Sequence, residues 1–96
     1  MNKQQVVYRI VTERTPAYVR NIKRILGELH LDFSMCNGVG SYHLTDENSV
    51  VIELAFVSRN RALVAAKLIG RANRQECILF QEIPCTSTLI GTGVEV

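Results

Sequence analysis

Residues 58–80, SRNRALVAAKLIGRANRQECILF, constrain the fold more than any other stretch, because they set a capped helix directly before an extended run. Ser58 reads as the N-cap, since a serine oxygen accepts the otherwise unpaired N–H groups of a first turn. Ala62, Ala65, Ala66, Ile69 and Asn73 follow at steps of three and four, flanked by Leu63 and Leu68, as on a helix with one buried face. Ala65, Ala66 and Gly70 carry so little side chain that this helix is expected to lie close against another backbone surface. Cys77-Ile78-Leu79-Phe80 lacks polar alternation and reads as a strand covered on both faces, with Cys77 as a core thiol. Gln75 and Glu76 then stand at the mouth of a buried strand, which makes them the first candidates for a site.

The rest of the chain supplies partners for this unit. Residues 5–13 alternate, with Val6, Tyr8 and Ile10 on one face and Val7, Arg9 and Val11 on the other, a strand of period two. Thr15 and Pro16 open a helix as cap and first helical residue, where a missing N–H costs nothing. Tyr18, Ile22, Ile25, Leu26 and Leu29 form its apolar stripe; Arg20, Lys23, Arg24 and Glu28 face solvent. Gly27, near its end, marks fraying or close packing.

A further strand begins at Leu31, and Asn37-Gly38-Val39-Gly40 interrupts it as a bulge or tight loop. Extended structure resumes at Ser41, and Thr45-Asp46-Glu47-Asn48 reads as a turn. In residues 49–57, Val50, Ile52, Leu54 and Phe56 oppose Val51, Glu53, Ala55 and Val57. Pro84 is expected to stop the last strand, with a short edge strand added through Leu89 and Ile90. The order strand, helix, strand, strand, helix, strand predicts an α+β ferredoxin-like βαββαβ sandwich with both helices on one face of an antiparallel sheet. Val7, Val11, Val51, Ala55 and Val57 leave its other face apolar enough to expect self-association, for which a small symmetric ring is one closed form.

Ninety-six residues suit a single domain over 1–96, able to bury roughly two-thirds of its unfolded surface without staples. With 47% hydrophobic and 21% charged residues the chain is globular rather than disordered, and a net charge of +2 makes no case for nucleic acid. Three cysteines without a CxxC pair argue against a disulfide framework and suit a reducing compartment. The polar start MNKQQ is no signal-peptide core, and no apolar run nears the ~20 residues that span a bilayer, so a soluble cytoplasmic protein is expected.

Beside Gln75 and Glu76, the loop-like segment from Asn37 to Tyr42 offers Gly38 and Gly40, where backbone can approach a ligand, and the tyrosine that follows. It lacks the third glycine and following helix of a dinucleotide loop. Glu76 also has a bland role available, as a surface acid paired with Arg71 or Arg74. His30, Cys36 and His43 have no metal-ligand spacing, and no metal site is expected. Arg59, Arg61, Arg71 and Arg74 lack interleaved aromatics and read as a solvated face.

The run RALVAAKLIGRANRQECILF resembles the matching stretch of the bacteriophage S-adenosylmethionine lyases, long called hydrolases. There, an Ala-rich helix starting near an Ala-Leu pair, here Ala62-Leu63, leads into Gln-acid-Cys, here Gln75-Glu76-Cys77. An aliphatic strand ending in an aromatic follows, here Ile78-Leu79-Phe80, and then an echo of a threonine followed by Leu-Ile, here from Thr86 to Ile90. Upstream, Gly40-Ser41-Tyr42 looks like the family's Gly-x-Tyr. The resemblance implies a homotrimer with sites between subunits and cleavage of S-adenosylmethionine to methylthioadenosine and homoserine lactone without metal or other cofactor. Gln75, Glu76 and Tyr42 would be catalytic, and Gly40 would join them in binding. The implied biology is a phage protein that depletes the methyl donor of host restriction systems in the host cytoplasm. Beside what the resemblance implies stand three alternatives: hydrolysis with Glu76 as general base, a non-catalytic trimer that binds a nucleotide or other effector, and a small phage inhibitor acting by protein contact.

Overall fold

The computed structural model describes the backbone of residues 2–42 and 45–95, and the side chains of 5–38 and 48–95. Six elements follow in order: β1 (Asn2–Glu13), α1 (Pro16–Glu28), β2 (Ser34–Tyr42), β3 (Thr45–Leu54), α2 (Arg59–Ala72) and β4 (Leu79–Thr88). The strands form one antiparallel sheet in the order β2-β3-β1-β4. This is the ferredoxin-like βαββαβ arrangement, and its central strands β3 and β1 carry the core. Tyr8, Ile10, Val50, Ile52 and Leu54 are buried against Ile22, Ile25 and Leu26 of α1 and Ala62, Ala65, Ala66 and Ile69 of α2. The alternate residues Val7, Arg9, Val11, Val51, Glu53 and Ala55 are only half-buried, so the helices cover one face and leave the other open.

Both helices begin as their sequences dictate. Thr15 Oγ1 accepts from the Tyr18 N–H at 3.1 Å, and Ser58 Oγ accepts from the Arg61 N–H at 3.3 Å. They also end alike, in Schellman caps. The N–H of Leu31 reaches the Leu26 carbonyl at 3.0 Å, and that of Gln75 reaches the Gly70 carbonyl at 2.9 Å. This closure needs a left-handed residue, which is His30 (φ 55°) in one helix and Arg74 (φ 52°) in the other, where glycine is the usual choice. Leu31 is therefore spent on the cap, buried beneath α1, and β2 starts only at Ser34.

Six local expectations change. Asn37 to Gly40 is neither bulge nor loop: β2 pairs one-to-one with β3 from Ser34↔Glu53 to Tyr42↔Thr45, and β3 already begins where a turn was expected. Gly38 serves close cross-strand packing instead, since a Cβ there would lie 3.2 Å from Ser49 Oγ. The alternation of β3 breaks at Phe56, whose backbone is left-handed (φ 57°) and whose ring is 70% exposed, while Val57 packs on the core. The apolar run 77–80 is not a doubly covered strand. Its strand starts at Leu79, 47% exposed, on the sheet edge. Pro84 does not stop that strand; it pairs with Val6, and at an edge its missing N–H removes no ladder bond. No strand follows Thr88 among the described residues, and Leu89 and Ile90 are exposed.

Candidate functional site

The cap of α2 builds the site. It turns the chain at Arg74 and ties the Gln75 backbone to Gly70, which leaves the Gln75 side chain over the end of β1. There Thr12 Oγ1 donates a hydrogen bond to Gln75 Oε1. Thr12 continues the core-facing alternation of Tyr8 and Ile10, so its hydroxyl is buried, at 5% exposure. Leaving such a hydroxyl unpaired would cost about 1–3 kcal/mol, and Gln75 removes that cost. Beside it, Asn73 is also buried, accepts from Asn21 Nδ2 at 2.9 Å, and so pins the end of α2 to α1.

Gln75, Cys77 and Ile78 form the wall between two open clefts. One, of about 430 Å³, runs along the sheet end past Thr12, Glu13, Ser49 and Leu79. The other, of about 340 Å³, runs along α2 past Lys67, Gly70, Arg71 and Glu76. Both have the scale of small-molecule sites. Glu76 and Cys77 are exposed on the turn before β4 and not at a buried strand mouth, because β4 is an edge strand and starts two residues later. Cys77 is thus no core thiol. Among the described residues Glu76 forms no ion pair with Arg71 or Arg74.

Gly40 and Tyr42 belong to a hairpin arm that rises from this end of the sheet. Pairing of β1 with β3 stops at Glu13↔Ser49, whereas β2 and β3 continue for four more pairs, roughly 13 Å at ~3.3 Å per residue. Ser49 lines the first cleft at the root of the arm, and Tyr42 pairs with Thr45 near its tip. The Tyr42 ring and the surroundings of Gly40 lie outside the described side chains. Within one chain, then, Gln75 and Glu76 share the cleft along α2, while Gly40 and Tyr42 occupy the arm at the sheet end, where Gln75 but not Glu76 lines the other cleft.

Thr12 and Ser49 line the candidate cleft at the sheet end, and the sequence pattern did not bring them forward. Carrying the period-two alternation of β1 one step past Ile10 would have placed the Thr12 hydroxyl on the core face. Among the described residues no three His, Cys, Asp or Glu side chains converge as metal ligands; His43 lies outside them. No helix is long and apolar enough to cross a membrane. A further groove of about 460 Å³ at the opposite end of the sheet is lined by His30, Phe33, Phe56 and Arg61, the last donating to the Leu29 carbonyl at 2.5 Å. None of the candidate residues lies in it.

No protein-family model matches the chain, and no curated protein does. Solved structures do match. CPII, a nitrogen regulatory PII-like protein from Thiomonas intermedia K12 bound to ADP, AMP and bicarbonate, is 9% identical with a TM-score of 0.68, over 94% of this chain and 99% of that one. The GlnK–ATP complex of B. subtilis is 21% identical with a TM-score of 0.55, over 83% and 82%. A phage S-adenosylmethionine lyase in the apo state is 19% identical with a TM-score of 0.55, over 96% and 94%. At such identities the likeness is one of architecture, and the chain shares its ferredoxin-like fold with PII-like proteins and with a phage S-adenosylmethionine lyase.

Proposed function

We propose that this chain is an S-adenosylmethionine lyase, acting as a homotrimer with sites between subunits. The observation that carries the proposal is the placement of Gln75 and Glu76. The two residues on which the lyase resemblance is most specific line one cleft along α2, and Gln75 also lines the adjoining cleft at the sheet end from which the arm bearing Gly40 and Tyr42 rises. The fold common to this chain and a phage lyase over nearly the full length of both supports the same proposal.

The chemistry asks little of a protein nucleophile. The substrate carboxylate attacks its own γ-carbon, the bond from that carbon to sulfur breaks, and the electron pair leaves on sulfur as neutral methylthioadenosine. The ring that closes is homoserine lactone. Opposite charges cancel as the ring forms, so a cleft drier than water favours the transition state over the separated charges. Holding the methionine chain bent supplies the orientational part. Glu76 anchors the positive substrate through its ammonium or sulfonium, and Gln75 and Tyr42 fix the bent conformer by hydrogen bonds. Glu76 is exposed in a single chain, so drying this cleft is work for a second copy, and the open sheet face is the surface through which copies would meet. A phage protein of this kind, in the host cytoplasm, would deplete the methyl donor of restriction systems.

A second reading, a non-catalytic nucleotide-binding trimer, is favoured by one observation. The ADP- and AMP-bound PII-like protein has the higher TM-score, 0.68 against 0.55. Incubating the pure protein with S-adenosylmethionine and analysing the mixture by mass spectrometry separates the two. Methylthioadenosine is expected; unaltered S-adenosylmethionine together with tight ADP or ATP binding would overturn the lyase assignment.

A further inference from the structure

We infer that Thr12 is a positioning residue for Gln75: by occupying the amide oxygen, it makes the amide N–H₂ the end that Gln75 offers to the cleft. A carboxamide has two ends of nearly equal shape and opposite chemistry, one accepting and one donating two hydrogen bonds. Unrestrained, either end can face a ligand. Here the backbone of Gln75 is already held by Gly70, and its Oε1 takes the hydrogen of the buried Thr12 hydroxyl. The amide nitrogen keeps no hydrogen-bond partner among the described residues, while the side chain lines both clefts. Gln75 is thereby a donor, suited to an acceptor group such as a carboxylate, beside the Glu76 anion, which suits a cation.

The inference rests on the lyase proposal only for the identity of the ligand. The test uses ¹⁵N-labelled full-length protein as wild type, Thr12→Ser and Thr12→Val, with Gln75→Glu to assign the Gln75 side-chain amide signal. In Thr12→Val that signal is expected to move and its heteronuclear NOE to fall, because the side chain that Thr12 holds through Oε1 is released while its N–H₂, already facing the cleft, gains no new exposure. KM for S-adenosylmethionine should rise roughly three- to tenfold, the worth of one net hydrogen bond, with kcat nearly unchanged. Thr12→Ser should restore both. Gln75→Glu, which keeps an oxygen for Thr12 and loses the donor, should raise KM further. An unmoved amide signal in Thr12→Val, a moved signal with unchanged KM, or Thr12→Ser behaving like Thr12→Val would overturn the assignment. If Thr12→Val does not fold, Thr12→Ala takes its place. If the wild type neither binds nor cleaves S-adenosylmethionine, the lyase proposal falls, and the amide signal, which needs no ligand, still decides whether Thr12 sets the amide orientation.

Discussion

Glu76 stands exposed on a turn in the single chain, where an acid does little by itself, yet the proposed reaction gives it the only negative charge assigned to the substrate cation. Glu76→Gln keeps the shape and removes the charge. If a second copy dries the cleft, losing one partner of that pair costs on the order of 2–5 kcal/mol, so kcat/KM should fall by about 30-fold or more. Thermal unfolding should shift little, because no described partner of Glu76 within the chain is lost. Activity equal to wild type would remove Glu76 from the site. Gly27 provides a contrasting residue, helical and exposed, and a Cβ added there would meet nothing within 4 Å. Gly27→Ala should therefore stabilise the chain by about 0.5–1 kcal/mol in denaturant unfolding, without touching activity. A destabilised Gly27→Ala protein would mean that this turn of α1 is packed against something in the assembly.

At the scale of elements, the alternation of β1 and β3, the Thr15 and Ser58 caps and the stripes of both helices were legible, because each follows from local spacing. What spacing does not carry is position within the sheet. Four consecutive apolar residues at 77–80 suit a covered strand, yet the strand order puts β4 at the edge, which exposes Leu79 and tolerates Pro84. Likewise Gly38 reads as a loop glycine until its cross-strand neighbour is known. Gly38→Ala would press its Cβ to 3.2 Å from Ser49 Oγ, so it should cost about 1 kcal/mol, and distinctly less in a Ser49→Ala background. Equal costs in both backgrounds, measured by denaturant unfolding, would show that the crowding is not what glycine relieves. For the candidate site, Gln75 and Glu76 were singled out by a buried strand mouth that the fold does not have and by the lyase resemblance, whereas Thr12 was not, because a threonine on a strand names no partner. Its role emerges only once the α2 cap sets Gln75 over it.

For the whole molecule, the sheet face without helices is the surface that the proposed trimer would use. Val7, Val11, Val51 and Ala55 surround the Arg9–Glu53 ion pair, whose nearest atoms are 3.4 Å apart. Arg9 Nε is already shut from solvent without a hydrogen-bond partner among the described residues. Light scattering is expected to give a trimer, and Val51→Lys, which sets a charge in the middle of this face, is expected to give monomers with an intact fold and no turnover. A wild-type monomer at all concentrations would exclude a shared site. The central claim is the reaction itself, and it is tested most directly by incubating the protein with S-adenosylmethionine in heavy-oxygen water and following the early products by mass spectrometry. Intramolecular attack predicts methylthioadenosine with unlabelled homoserine lactone, which later takes up label in its carboxyl group as it opens. Homoserine labelled at its hydroxyl from the first time point would contradict the lyase chemistry, and unaltered S-adenosylmethionine would contradict the function.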